Sequence, residues 1–119
     1  MKQPTDKYYG IPMDEWIIRL PEDLKQDAVA LWHLVAGGRD SFDLDSTELV
    51  EFVRKSIQVL LEHGALPVVA DIGGNNDWRL SDAYQTGTGD TVDAILADWL
   101  NLGCDPDIGG LWFSLPERF

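Results

Sequence analysis

Two histidines, one cysteine and 21 acids are the first side chains to weigh for chemistry in this chain of 119 residues. A histidine acts as a general base near neutral pH when a nucleophile or an orienting acid holds it in place. His33 falls within a stretch of helical periodicity, on the face opposite Leu24, Ala28, Leu31 and Val35, and reads as a solvated surface residue. His63 falls at the end of a second such stretch, where an imidazole interacts favourably with the carbonyl end of the helix dipole, and reads as a cap. Cys104 follows Gly103 just past a third helical stretch. Activated thiolates belong at helix N-termini or beside a base, so a nucleophilic role is not expected there.

Metal and phosphate chemistry fare no better. Two histidines and one cysteine stand at no ligand-like spacing, which argues against a structural zinc site. The strings DLD (Asp43 to Asp45) and DPDIGG (Asp105 to Gly110) resemble the opening of a calcium loop. An EF-hand starting at Asp43 needs Gly at its sixth place and Glu at its twelfth, where this chain has Glu48 and Arg54, and a start at Asp105 puts Pro116 in the twelfth. Capping and turn formation account for these acids. The string GTGD at Gly87 to Asp90 lacks the Gly-Lys-Ser/Thr of a P-loop, and the glycine pairs at Gly73 and Gly109 open no βαβ unit. Carboxylate pairs of the glycosidase kind carry no signal, because 21 acids make them inevitable by chance. The expectation is a protein with no enzymatic activity, cofactor or metal, which works by binding.

The elements that must position any binding residues are legible in part. Residues 1–12 mix lysines, prolines, Tyr8 and Tyr9 without a sustained period and read as an irregular N-terminal arm that the tyrosines pin down. Asp14 to Leu20 fits a strand or a helix equally. A first helix is expected near 21–36: Pro21 suits its first turn, Glu22 and Asp23 suit its dipole, Leu24, Ala28, Leu31 and Val35 share a face, and Gly37 and Gly38 end it. A second is expected near 47–63, with Asp45 or Ser46 as cap, Leu49, Phe52, Val53, Ile57 and Leu60 as its buried stripe, and Gly64 as its stop. A third is expected near 90–102, with Val92, Ile95, Leu96, Trp99 and Leu100 on one face and Gly103 beyond it. Between the last two, 65–89 is rich in turn residues, with Pro67-Val68-Val69 as a short strand or an extended plug. Leu111-Trp112-Phe113 is a short strand or a segment laid across the helices. The fold class is mainly α: one domain over 1–119, a bundle of about three main helices with long loops and room for a minor β element.

Charge narrows the partner. The formal net charge is −12, and residues 66–113 hold eight acids against one base, Arg79. Such a field repels nucleic acid and anionic lipid and attracts basic partners or cations. No apolar run approaches the roughly 20 residues needed to span a bilayer, and a lone cysteine without a leader pattern fits a reducing cytoplasm. Five tryptophans are many for this length. Trp99 belongs to a helical stripe, whereas Trp78 and Trp112 stand in acidic, loop-rich sequence and read either as core or as interface anchors. The partner surface is accordingly expected around Asp71, Asp77, Trp78, Asp82, Asp105, Asp107 and Trp112.

Three stretches, LPEDLKQDAVALW (Leu20 to Trp32), ELVEFVRKSIQVLLEHGALPVV (Glu48 to Val69) and ILADWLNLGCDPDIGGLWFSLP (Ile95 to Pro116), give the chain the look of a known group. Over about residues 14–117 it resembles the small immunity proteins of bacterial polymorphic and contact-dependent growth inhibition toxin systems. The resemblance implies a cytoplasmic protein that binds the C-terminal toxin domain of its own system, often a nuclease, and blocks it at the active site or an adjacent surface. These proteins share no catalytic motif, so no site residue carries over from them. The alternative is an acidic adaptor or regulatory subunit that binds another protein.

Overall fold

The computed structural model describes residues 5–70, 78–81, 84, 88–106 and 110–116. In chain order the elements are α1 (Met13–Ile18), α2 (Leu20–Gln26), β1 (Val29–Ala30), α3 (Leu31–Ala36), a π-helical turn (Gly37–Ser41), α4 (Ser46–Glu62), β2 (Leu66–Ala70), β3 (Trp78–Leu80), α5 (Thr88–Leu102) and β4 (Trp112–Ser114). The chain is mainly helical, with a small antiparallel sheet in the order β1-β4-β2-β3.

Helix α4 is the centre of the molecule. Its expected stripe of Leu49, Phe52, Val53, Ile57 and Leu60 is wholly buried, joined by Ser56, whose hydroxyl donates to the Phe52 carbonyl at 2.8 Å. The other helices pack against it. Asp45 occupies its N-cap position without a side-chain capping bond, and Ser46 begins the helix at φ +48°. At the other end Gly64 takes φ +94°, the left-handed conformation that a glycine stop supplies, and the Ala65 amide returns to the Leu60 carbonyl at 3.1 Å. Helix α5 buries Val92, Ile95, Leu96 and Trp99. Leu100, expected on the same face, is 54% exposed, because the stripe of a helix packed on one neighbour is too narrow to include it.

The expected helix over 21–36 is corrected to a helix, a strand and a second helix. Asp27 leaves the helical path at φ −166°, its carboxylate accepts the Ala28 amide at 2.7 Å, and Val29 and Ala30 pair with Phe113 and Trp112 of β4. Local helix propensity over this stretch is unremarkable, and the backbone hydrogen bonds on offer from a distant strand override it. The α-helical path does end at Ala36, with Gly37 as its C-cap, and the chain continues from there into the π-helical turn. The function of Gly37 and Gly38 is close approach: a Cβ on Gly38 would stand 2.5 Å from Leu49 Cδ1 and 3.0 Å from Phe52 Cδ2, and one on Gly37 would stand 2.8 Å from the Trp16 ring.

The N-terminal arm is ordered by an acid rather than by its tyrosines. Asp6 is buried, and its Oδ1 accepts the amides of Tyr8 and Tyr9 at 2.9 and 2.6 Å while Thr5 bridges to Pro12. The Lys7 amide ties this turn to the Ser41 carbonyl at 3.0 Å. Tyr8 and Tyr9 are 65% and 84% exposed. The string Asp14 to Leu20 resolves into α1, a break at Arg19 and the start of α2.

Candidate functional site

Strand register decides which side chains the sheet turns outward. Directly opposed residues of an antiparallel pair share a face, and neighbours along a strand alternate. Phe113, opposite both Val29 and Pro67, lies on the inner face, and Phe113 and Val29 belong to the main core. Trp112, opposite Ala30 and Val68, lies on the outer face with Leu80, which is opposite Val68, and with Trp78, which is opposite Ala70. Val68 is fully buried yet lies outside the main core cluster. Its cover is the outer face itself.

Trp78 on β3 and Trp112 on β4 flank β2, and their rings meet across it with centroids 4.9 Å apart and planes at 40°. Val68, opposite Trp112, is fully buried, whereas Ala70, opposite Trp78, is small and exposed. The row continues: the Trp112 ring meets the His33 ring edge-on at 5.7 Å, and His33 packs on the Trp32 ring at 4.0 Å. Four aromatic rings therefore run from the outermost strand to the start of α3. Trp32, Trp78 and Trp112 are half-buried.

His33 is exposed, as expected, but it stands in a different element from the helix that was to carry it and has neighbours of its own. Because β1 interrupts that helix, His33 stands in the first turn of α3, and its Nδ1 accepts the Ala30 amide at 3.3 Å. An Nδ1 that accepts carries no proton, so this hydrogen bond belongs to the neutral imidazole. Burial pushes its pKa below the ordinary 6.5, partly opposed by the carboxylates of Asp23 and Asp27. Burial in turn raises the Asp23 carboxyl, with His33 pulling it back down. The indole Nε1 of Trp32 is buried with no hydrogen-bond partner among the described residues. His63 does cap α4, its Nδ1 lying 2.8 Å from the Val59 carbonyl.

The structure brings Trp78 and Trp112 together and puts Asp105 elsewhere. Arg39 of the π-helical turn grips Asp105 through both carboxylate oxygens, at 2.8 and 2.9 Å, so this acid ties the segment after α5 to the helical side. Asp71, Asp77, Asp82 and Asp107 lie outside the described residues. Trp32 and His33 are the members of the aromatic row that sequence reading left out. Their adjacency was visible, but only the β1–β4 pairing carries them to Trp112.

Two surface grooves lie on the helical side. One of about 410 Å³ between α4 and α5 has an apolar floor of Leu49, Val50, Trp99 and Leu100, with Arg39 at its rim already held by Asp105. The other, of about 250 Å³, is bordered by Glu48, Glu51 and Lys55 on the exposed face of α4, and Glu51 is paired with Arg54. Arg54 also bonds Asp93 of α5. Burial, and then a hydrogen bond to Asp98, pushes the Tyr84 hydroxyl well above the usual phenol range. Among the described residues no group of three or more His, Cys, Asp or Glu side chains is placed to hold a metal ion, and no helix is long and apolar enough to cross a membrane. Compared with family models, with curated proteins and with solved structures, the chain matches none.

Proposed function

We propose that this chain is an immunity protein that binds a basic toxin domain, of the nuclease kind, and neutralises it by covering the surface that holds its substrate. The observation that carries the reading is the Trp78–Trp112 pair, partly exposed on the outer sheet face of a chain with net charge −12. Large aromatic side chains on a rigid sheet contribute most of the energy in many protein interfaces, because they bury much area while losing little conformational freedom. A nuclease must present cations to hold phosphates, and an acidic protein competes for those cations and is steered toward them. An inhibitor of this type needs no reactive group of its own.

The acids Asp71, Asp77, Asp82 and Asp107 belong to the proposed surface on the strength of sequence alone, within the stretch 66–113 that carries a net −7. Asp105 contributes charge to it while remaining tied to Arg39. Co-expression with candidate toxin domains, scored by survival of the host and by co-purification, tests the reading. Rescue together with a stable complex is the expected result. A complex formed with basic proteins in general, without rescue from any toxin, would instead support the adaptor reading.

A further inference from the structure

A row of aromatic rings on a sheet fits several ligands, and its electrostatic setting selects among them. Indole faces carry partial negative charge and attract cations, most strongly where water is partly excluded, as it is over half-buried Trp78 and Trp112. At the opposite end of the row, Asp23 and Asp27 lie close enough to act electrostatically on His33. His33 itself accepts the Ala30 amide and is neutral in this geometry, so it places no positive charge in the row. Arg79, next to Trp78 in sequence, pairs with Val69 and therefore belongs to the other face of the sheet. The Trp78–Trp112 pair offers the aromatic faces, and Asp23 and Asp27 add negative charge near the His33 end of the row, so a cation is favoured here over an anion.

Resting on the reading of the chain as a binder of a basic partner, we infer that the outer sheet face is built to receive an arginine side chain of that partner, its guanidinium lying on the Trp78–Trp112 pair. Arginine fits better than lysine because its planar, weakly hydrated guanidinium stacks on an indole at little desolvation cost, whereas an ammonium retains its water. Nucleic-acid bases also stack on tryptophan, but the phosphates that accompany them are repelled by this chain. Neutral sugars also stack on indoles and donate hydroxyls to carboxylates, but they gain nothing from the net charge of −12, which attracts a cation. The arginine would act as the central anchor, with the surrounding acids of 66–113 governing approach.

The test titrates isotope-labelled protein with a capped peptide of alternating glycine and arginine, and with the lysine peptide of equal charge, while the indole N–H resonances are followed by nuclear magnetic resonance. Expected are saturable shifts at the Trp78 and Trp112 indoles, with the arginine peptide binding tighter by about threefold or more. Trp78→Leu should abolish the preference for arginine, whereas Trp78→Phe should retain part of it. Asp23→Asn should weaken both peptides by similar factors. Circular dichroism confirms that each variant is folded. Equal affinity for the two peptides, or shifts that bypass both indoles, would overturn the inference, as would tighter binding of a neutral oligosaccharide at the same indoles. The outcome is separable from the immunity reading: neutralisation of a toxin by a protein indifferent to the arginine peptide would sink this inference alone. Arginine selectivity at the indoles without neutralisation of any toxin would sink the immunity reading alone.

Discussion

The inner and outer faces of the sheet use the same four strands for opposite ends. On the inner face Phe113 and Val29 join a core built around α4, and Phe113 has no exposed surface. On the outer face Val68 is equally buried, and Trp112 opposite it, like Trp78, is itself partly exposed. Packing against helices covers the inner side chains, whereas among the described residues Trp78 and Trp112 on the outer face keep part of their apolar area at the surface. Under the proposed function, substitutions on the inner face should act on stability and those on the outer face on association.

The sharpest way to break this contrast is to truncate the core. Phe52→Ala or Phe113→Ala should destabilise by roughly 3–5 kcal/mol, the usual cost of an emptied aromatic site, read by denaturant unfolding. A loss comparable to that of a surface change would show the core misplaced. Next comes overfilling: Gly38→Ala forces a methyl against Leu49 and Phe52 and should cost about 1–3 kcal/mol.

On the outer face Trp78→Ala should cost only about 1–2 kcal/mol of stability, as for a half-buried side chain. It should cost about 2 kcal/mol or more of affinity for a cognate toxin, mostly through faster dissociation. Surface plasmon resonance beside thermal unfolding gives both numbers, and a larger loss in stability than in affinity would reverse the roles assigned to the two faces. Charge reversal at Asp77 or Asp82 should instead slow association, and raising the salt concentration should do the same.

The smallest expected effect is that of pH. Folded His33 resists protonation, its pKa lying below the ordinary 6.5. As pH falls from about 6.5 the unfolded chain takes up a proton before the folded one does, so stability declines until the folded pKa is passed. Asp23 acts in the opposite sense in more acidic solution: its raised carboxyl favours the fold below 3.8, and that contribution is lost as pH rises through the folded pKa. His33→Phe, which keeps a ring against Trp32 and Trp112, should flatten the decline below pH 6.5. A decline unaltered by this change would place its source in another group.

Where an element buries one face against a single neighbour, its sequence announced it. The stripe Leu49, Phe52, Val53, Ile57 and Leu60 with Gly64 behind it is α4, and Val92, Ile95, Leu96 and Trp99 with Gly103 behind it is α5. The strand at Pro67 to Val69 and the one at Trp112 were visible as short apolar runs but not as partners, because runs of that length suit several conformations. Of the aromatic row, Trp78 and Trp112 stood out by type and setting. Their contact did not, nor did the part taken by Trp32 and His33.

Local periodicity, charge and end signals were enough to determine the two long helices, their buried residues and the acidity of 66–113, because each depends on residues a few positions apart. Tertiary structure alone decided the rest. Asp27 to Ala30 carries no breaker, yet it leaves the helix because β4, more than eighty residues away in the chain, supplies hydrogen bonds that the local sequence does not encode. That one pairing turns a helix into a strand and brings His33 and Trp32 beside Trp112. It thereby makes one aromatic row out of four residues scattered between positions 32 and 112.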